Sequence, residues 1–223
     1  MNKKRILLLN GSMRKKSTSL TIAKAFKEII EKKGHKAQII DVIDYFDNKD
    51  TIENLKELIA NSDIIGMIAP CYVNTLPYAD IWCLEKLVYE YQGEWKGKGF
   101  FAIAQGGMPD KQVHQSILDT SKHFAEETEM EWLGGLIIGM APIINGAPLE
   151  NFGFIGKKII KGFDGAVEDI INDKVIASSL QKGLTINIPK VLYYPLSYFL
   201  NLNTKKTLKQ NGVTDPYRQP YAE

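Results

Sequence analysis

Two hydrophobic periods alternate along this chain. Between Arg5 and Asn10 it is continuously apolar and stops at Gly11, as in a strand covered on both faces. Ile22, Phe26, Ile29 and Ile30 then recur at helical spacing until Gly34 closes the helix. Ala37 to Val42 predicts a second strand, and Ile52, Leu55, Leu58 and Ile59 a second helix, with Asp50 placed to cap it and Glu53 three residues on. A third strand over Asp63 to Ala69 stops at Pro70, and Ile81, Leu84, Leu87, Val88 and Tyr91 form the next helical stripe. Phe100 to Ala104, entered through Gly97 and Gly99, is the fourth strand and breaks at Gln105-Gly106-Gly107-Met108-Pro109. Asp110 is placed to cap a helix bearing Val113, Ile117, Leu118 and Phe124, and Trp132 to Gly139 makes a fifth strand. After a Gly- and Pro-containing connection over Ala141 to Phe154, the stripe Ile159, Ile160, Phe163, Val167, Ile170 and Ile171 gives a fifth helix.

Strands alternating with helices of this length pair in parallel through right-handed crossovers, because each helix must cover a sheet face. Five such strands fit the order 2-1-3-4-5, an α/β three-layer sandwich with helices on both faces of a parallel sheet. That order reverses between the first and third strands, so a ligand is expected where Gly11 to Ser19 and Pro70 to Pro77 emerge. Residues 1–183 form this domain and residues 184–223 a C-terminal extension. Within the extension Thr185 to Asn203 is apolar and aromatic, interrupted by Pro189 and Pro195; Thr204 to Glu223 is polar, with Gly212, Pro216 and Pro220.

Composition narrows the class. The chain has 223 residues, 44% of them apolar and 24% charged, as in a soluble globular protein that is neither disordered nor fibrous. A net charge of +2 with mixed signs leaves no broad basic face beyond Lys3, Lys4, Arg5 and Lys15, Lys16, so nucleic acid is not an expected partner. The apolar run Ile6 to Leu9 is too short for a signal peptide, and no stretch approaches the roughly 20 apolar residues of a membrane span; a cytoplasmic protein is expected. Cys71 and Cys83 lie in different elements, with no CxxC and no histidine at ligand spacing, which predicts no metal and a reducing compartment.

The first loop, Gly11-Ser12-Met13-Arg14-Lys15-Lys16-Ser17-Thr18-Ser19, joins a strand tip to a helix start. Free amides at a helix start carry about half a positive charge, and Ser12, Ser17, Thr18 and Ser19 add hydroxyl donors. Arg14 supplies a charge-assisted contact. One hydroxyl, Thr18 or Ser19, is expected to cap the helix, yet four exceed what capping needs. The loop has neither G-x-G-x-x-G nor a Gly-Lys-Ser/Thr ending, so a monophosphate fits it better.

These residues resemble the first loop of the NAD(P)H-dependent FMN reductases of flavodoxin-like fold, G-S-x-R-x-x-S-x-N. Gly11, Ser12, Arg14 and Ser17 match, and Ser19 stands where that family usually has Asn. The second loop, Pro70-Cys71-Tyr72-Val73-Asn74-Thr75-Leu76-Pro77, is similar to the family's P-x-Y-x-x-x-x-P segment, which lies against the isoalloxazine ring; Pro70, Tyr72 and Pro77 are in register. The family commonly continues with Leu-Lys where this chain has Asp80-Ile81.

The chemistry of the second loop agrees, since prolines stiffen it, Tyr72, Val73 and Leu76 offer an apolar surface, and Asn74 and Thr75 can donate to ring carbonyls or ribityl oxygens. The third loop, beginning Gln105-Gly106-Gly107, matches the family in part. Its paired glycines permit positive φ and let amides approach a ring edge, or make a plain turn.

Cys71 is not followed by the arginine of a phosphatase loop, because Pro77 occupies that position, so it reads as a small packing residue near the ring. His35, His114 and His123 read as surface residues, and Asp41 and Asp44 as solvated. The aromatic extension is expected to pack on its own domain or on a second subunit, where it could roof the flavin; a membrane surface ranks below both.

The resemblance implies an FMN-dependent oxidoreductase with NADPH or NADH as electron donor and a small-molecule acceptor such as a quinone, a nitro compound, a metal or another flavin. No side chain is expected to act as catalytic acid or base, because the protein places the ring and the flavin carries the redox chemistry. A homodimer is an open expectation. The rival reading is an FMN-binding electron carrier without a nicotinamide reaction, against which the slightly basic charge argues.

Overall fold

The computed structural model of the protein describes residues 3–184, 190–213 and 215. Two units divide the chain, Met1–Ile186 and Asn187–Glu223. The first holds five strands, β1 Arg5–Asn10, β2 Lys36–Asp41, β3 Ile64–Pro70, β4 Gly99–Gln105 and β5 Glu131–Ile138, all parallel in the order β2-β1-β3-β4-β5. Between and after them run α1 Thr18–Lys32, α2 Lys49–Ala60, α3 Tyr78–Glu90, α4 Gln115–Glu127 and α5 Gly153–Ile171.

Successive side chains of a strand point to opposite faces, and the core divides accordingly. Ile6 and Leu8 of β1 pack with Phe26 of α1, Phe101 of β4 and Phe163 of α5. Leu7 and Leu9 pack on the other face with Leu55 of α2, Leu84 and Leu87 of α3, and Phe124 of α4. β3 and β4 are buried throughout, which is why they read as unbroken apolar runs. Gly66 on β3 is required by packing, since a Cβ there would lie 2.2 Å from the Phe101 ring. Burial of each large core side chain contributes about 1.5–3 kcal/mol, so the two faces together hold the sheet between its helices.

Helix ends show where local signals compete. α1 is capped by Ser17, in extended conformation, whose Oγ accepts from Leu20 N at 3.1 Å; Thr18 and Ser19 already lie inside the helix. α2 begins at Lys49, so Asp50 falls in its first turn and not before it; the Asp50 side chain lies outside the described residues. Asp110 does cap, accepting from Gln112 N at 2.9 Å, but on a 3-10 turn, Lys111–His114, that leads into α4.

The outer edge of β5 is covered by a side chain. Gln181, in the 3-10 stretch Ser178–Gly183, donates from Nε2 to Ile137 O at 2.7 Å and accepts from Ile137 N at 2.9 Å. It thereby makes both bonds a sixth strand would make, and Ile176 N donates to Leu133 O beside it.

The second unit contains α6, Tyr193–Gln210, preceded by a 3-10 turn, Lys190–Leu192. Pro195 does not interrupt this segment: it sits in the first turn of α6, where no intrahelical amide bond is lost. Tyr193, Tyr194, Tyr198, Phe199, Leu200 and Leu202 are exposed, Tyr194 to 86%. Thr185, Pro189, Pro216 and Pro220, and the Leu196 side chain, lie outside the described residues. No helix among the described residues is long and apolar enough to cross a membrane.

Candidate functional site

The loops after β1, β3 and β4 meet at the carboxyl edge of the sheet, at the reversal of strand order. Main-chain bonds fix their bases: Gly11 N donates to Ile68 O, Cys71 N to Gln105 O, and Gly106 N to Ile138 O. Asn10 Nδ2 donates to Asp41 Oδ1 at 2.7 Å, tying the tips of β1 and β2. Asp41 is thus a structural acceptor and not merely solvated.

In the first loop Ser12 Oγ accepts from Arg14 N at 3.3 Å and Ser17 Oγ from Leu20 N. Both hydroxyls are buried and act as acceptors toward the backbone, which leaves their hydrogens free to donate. The first-turn amides of Thr18 and Ser19 have no carbonyl four residues back inside the helix. Arg14, in the same loop, is exposed. The other two hydroxyls are engaged elsewhere. Thr18 Oγ1 donates to Ala141 O at 3.3 Å, and Ser19 Oγ accepts from Gln105 Nε2 at 3.2 Å, so both bind the start of α1 to the ends of β4 and β5.

The second loop is a two-residue turn. Tyr72 N donates to Thr75 O and Thr75 N to Tyr72 O, and the central residues Val73 and Asn74 have φ of 50° and 60°. Positive φ at both positions marks the tight hairpin turns that asparagine and glycine favour. For β-branched Val73, 98% exposed at the tip, this conformation is strained by about 1–3 kcal/mol. Ties to the region opening α4 hold the turn: Ser116 Oγ donates to Asn74 O, and Cys71 Sγ lies 3.5 Å from Val113 O. Burial pushes the Cys71 thiol up, partly offset by the Asn74 and Thr75 amides, so the group stays protonated and unsuited to nucleophilic attack.

In the third loop neither glycine has positive φ among the described residues. Gly106 is needed for another reason, because a Cβ there would lie 2.3 Å from His114 Cε1. His114 is not on the surface. It is buried, with Nε2 3.0 Å from Met108 O and Nδ1 without a partner. His35 is buried too, accepting from Lys4 N at Nδ1, while His123 is exposed between Glu126 and Glu127. Gly107 is exposed, and a Cβ there would meet only Pro142 Cγ, at an ordinary contact distance of 3.7 Å.

A residue beneath the site adds to those the sequence pointed to. Asp80, in the first turn of α3, is buried with Oδ2 unpartnered, and its burial holds the carboxyl well above the usual range. Its spacing of four from Leu84 and seven from Leu87 put it on the apolar stripe, which is the signal that could have revealed it. Cys83, one turn on, is pushed up to about 12 by burial, with Asp80 adding to the effect.

A parallel 2-1-3-4-5 sheet with a donor-lined loop at the switch point defines a flavodoxin-like protein. The family model of the NADPH-dependent FMN reductases matches residues 4–134, and the chain belongs to that family. It is accordingly an FMN-dependent oxidoreductase served by reduced nicotinamide.

Solved structures share the fold. An NADH:FMN oxidoreductase (EMOB) in its apo form superposes with a TM-score of 0.60 at 15% identity, over 80% of this chain and 94% of that one. A flavone reductase gives 0.59 at 12%, over 75% of this chain and 64% of its own length. RosB, with bound 8-demethyl-8-formylriboflavin-5′-phosphate, gives 0.57 at 16%, over 99% and 98%. At these identities the likeness is one of fold. Curated proteins yield no match by sequence.

The donor chemistry of the first loop fits FMN. The loop carries two buried hydroxyls, two helix-start amides and a guanidinium, a donor set whose chemistry suits a phosphoryl dianion.

Proposed function

We propose that the protein seats the FMN phosphoryl group on Ser12, Arg14, Ser17 and the amides of Thr18 and Ser19, and serves a small-molecule electron acceptor. Thr18, Ser19 and Gln105 support the seat through side-chain bonds to neighbouring loops. Bound FMN would supply the redox chemistry, taking hydride from NADPH or NADH and passing electrons to the acceptor. Around it Pro70, Cys71, Tyr72, Val73, Asn74 and Thr75 form a stiff turn whose apolar tip suits one edge of a planar ring. Gly106 and Gly107 form the facing border, where the exposed Gly107, with no side chain of its own, allows a ring edge to approach the backbone.

The observation that carries this reading is the acceptor role of Ser12 Oγ and Ser17 Oγ toward the backbone, which leaves both hydroxyl hydrogens available to an anion. The exposed aromatic side chains of α6 support a homodimer. Fluorescence titration with FMN tests the seat. Arg14→Ala is expected to weaken FMN by about tenfold or more, the scale of a charge-assisted hydrogen bond, and to leave riboflavin unchanged. Equal effects on both flavins would remove Arg14 from the phosphate. Anaerobic mixing of the FMN-loaded protein with NADPH or NADH should bleach the flavin absorbance; an unbleached flavin would favour a carrier.

A further inference from the structure

Asp80 is 1% exposed, in the first turn of α3. Its Oδ2 accepts no hydrogen bond and sits where a Cβ on Gly11, the opening residue of the phosphate loop, would come within 2.2 Å. Ala69 at the end of β3 borders the same space. The carboxyl is therefore pressed against the underside of the loop, with no cation or amide to compensate Oδ2. The ionisable groups on the surrounding elements include Tyr78, Cys83 and Glu85 on its own helix, Cys71 after β3, Asp44 and Tyr45 in the 3-10 turn Val42–Tyr45, Asp41 at the tip of β2, and Arg14, Lys15 and Lys16 in the loop. Asp41 is bonded to Asn10, and burial holds both thiols protonated.

We propose that Asp80 makes the phosphate seat proton-dependent: with the carboxyl neutral the seat grips the phosphoryl dianion of FMN, and with the carboxyl ionised it releases that dianion. The inference rests on the reading that the first loop seats this group. Asp80 touches the underside of the loop whose amides and hydroxyls would hold the phosphoryl group, so like charges on the two sides of that loop, with protein and not water between them, disfavour each other. Linkage makes the effect reciprocal. FMN binding draws a proton onto Asp80, and ionisation of Asp80 weakens FMN by the same factor. Riboflavin lacks the charge and is indifferent to it, so Asp80 also sets how strongly the site prefers the phosphorylated flavin. A neutral carboxyl further suits the position, because it leaves the positive field of the α1 start undiminished.

The test is fluorescence titration of the full chain with FMN and with riboflavin at every pH the fold survives above the second phosphate ionisation at about pH 6. For the wild type the FMN Kd is expected to rise about tenfold across the range, while riboflavin stays level. Asp80→Asn should hold the low-pH FMN affinity throughout, and Asp80→Leu should do the same without any polar atom. A wild-type slope that persists in both variants, or a flat wild-type profile with FMN still preferred over riboflavin, overturns the proposal and leaves the phosphate seat standing. FMN bound no more tightly than riboflavin at every pH overturns the seat and the proposal together.

Discussion

Gly106 has no room for a methyl group, because the His114 ring occupies the space a Cβ would need. Gly106→Ala is expected to displace the ring from Met108 O and to destabilise the fold by about 1–3 kcal/mol, read as a lower urea midpoint at unchanged slope. Asp80 gives a second expectation with a definite sign. Its folded carboxyl lies well above the unfolded value of about 3.9, so the folded chain keeps a proton that the unfolded chain releases. Stability is then lost as pH rises from the unfolded value through the folded one, and Asp80→Asn should raise Tm more at about pH 8 than at about pH 5. Neither residue was fully legible beforehand. The two glycines suggested a positive-φ turn, whereas the constraint comes from a histidine eight residues on that the local pattern assigned to the surface.

Elements were far more legible than side-chain roles. Strands buried on both faces and helices with one apolar stripe write different periods, and all five strands and their order follow from that difference. Caps were harder, since Ser17, Thr18 and Ser19 can each accept from an amide two or three residues on, and the choice depends on where the preceding chain is extended. Ser17→Ala is expected to cost about 1 kcal/mol of stability and to weaken FMN as well, two readouts that Thr18→Ala, with its bond to Ala141 O, should separate. In the second loop the matching prolines and tyrosine marked the segment, but nothing in the sequence announced left-handed backbone at a valine. Val73→Asn, suited to that conformation, should raise the urea midpoint by an amount equivalent to about 1 kcal/mol.

For the whole molecule the open quantity is what the second unit does. α6 presents Tyr194, Tyr198 and Phe199 to solvent and carries Lys205, Lys206 and Lys209 with no acidic residue. In the homodimer reading, light scattering on the full chain should give twice the monomer mass, and Tyr198→Asp with Phe199→Asp should return it to one copy with FMN binding intact. An undiminished dimer in that variant would move the contact elsewhere. The sequence raised a second subunit as one of the covers for this segment, because aromatic area and charge say that it needs cover without saying whose.

Gln181 has a bearing on how the chain can be shortened. A fragment ending after α5 keeps every strand and every residue of the flavin seat, yet it strips the amide that shields Ile137 and leaves β5 with an open ladder. Such a fragment is primed to recruit further copies of itself strand by strand, so its fate should be ordered fibres that bind thioflavin, and a cut placed after Leu184 should escape it.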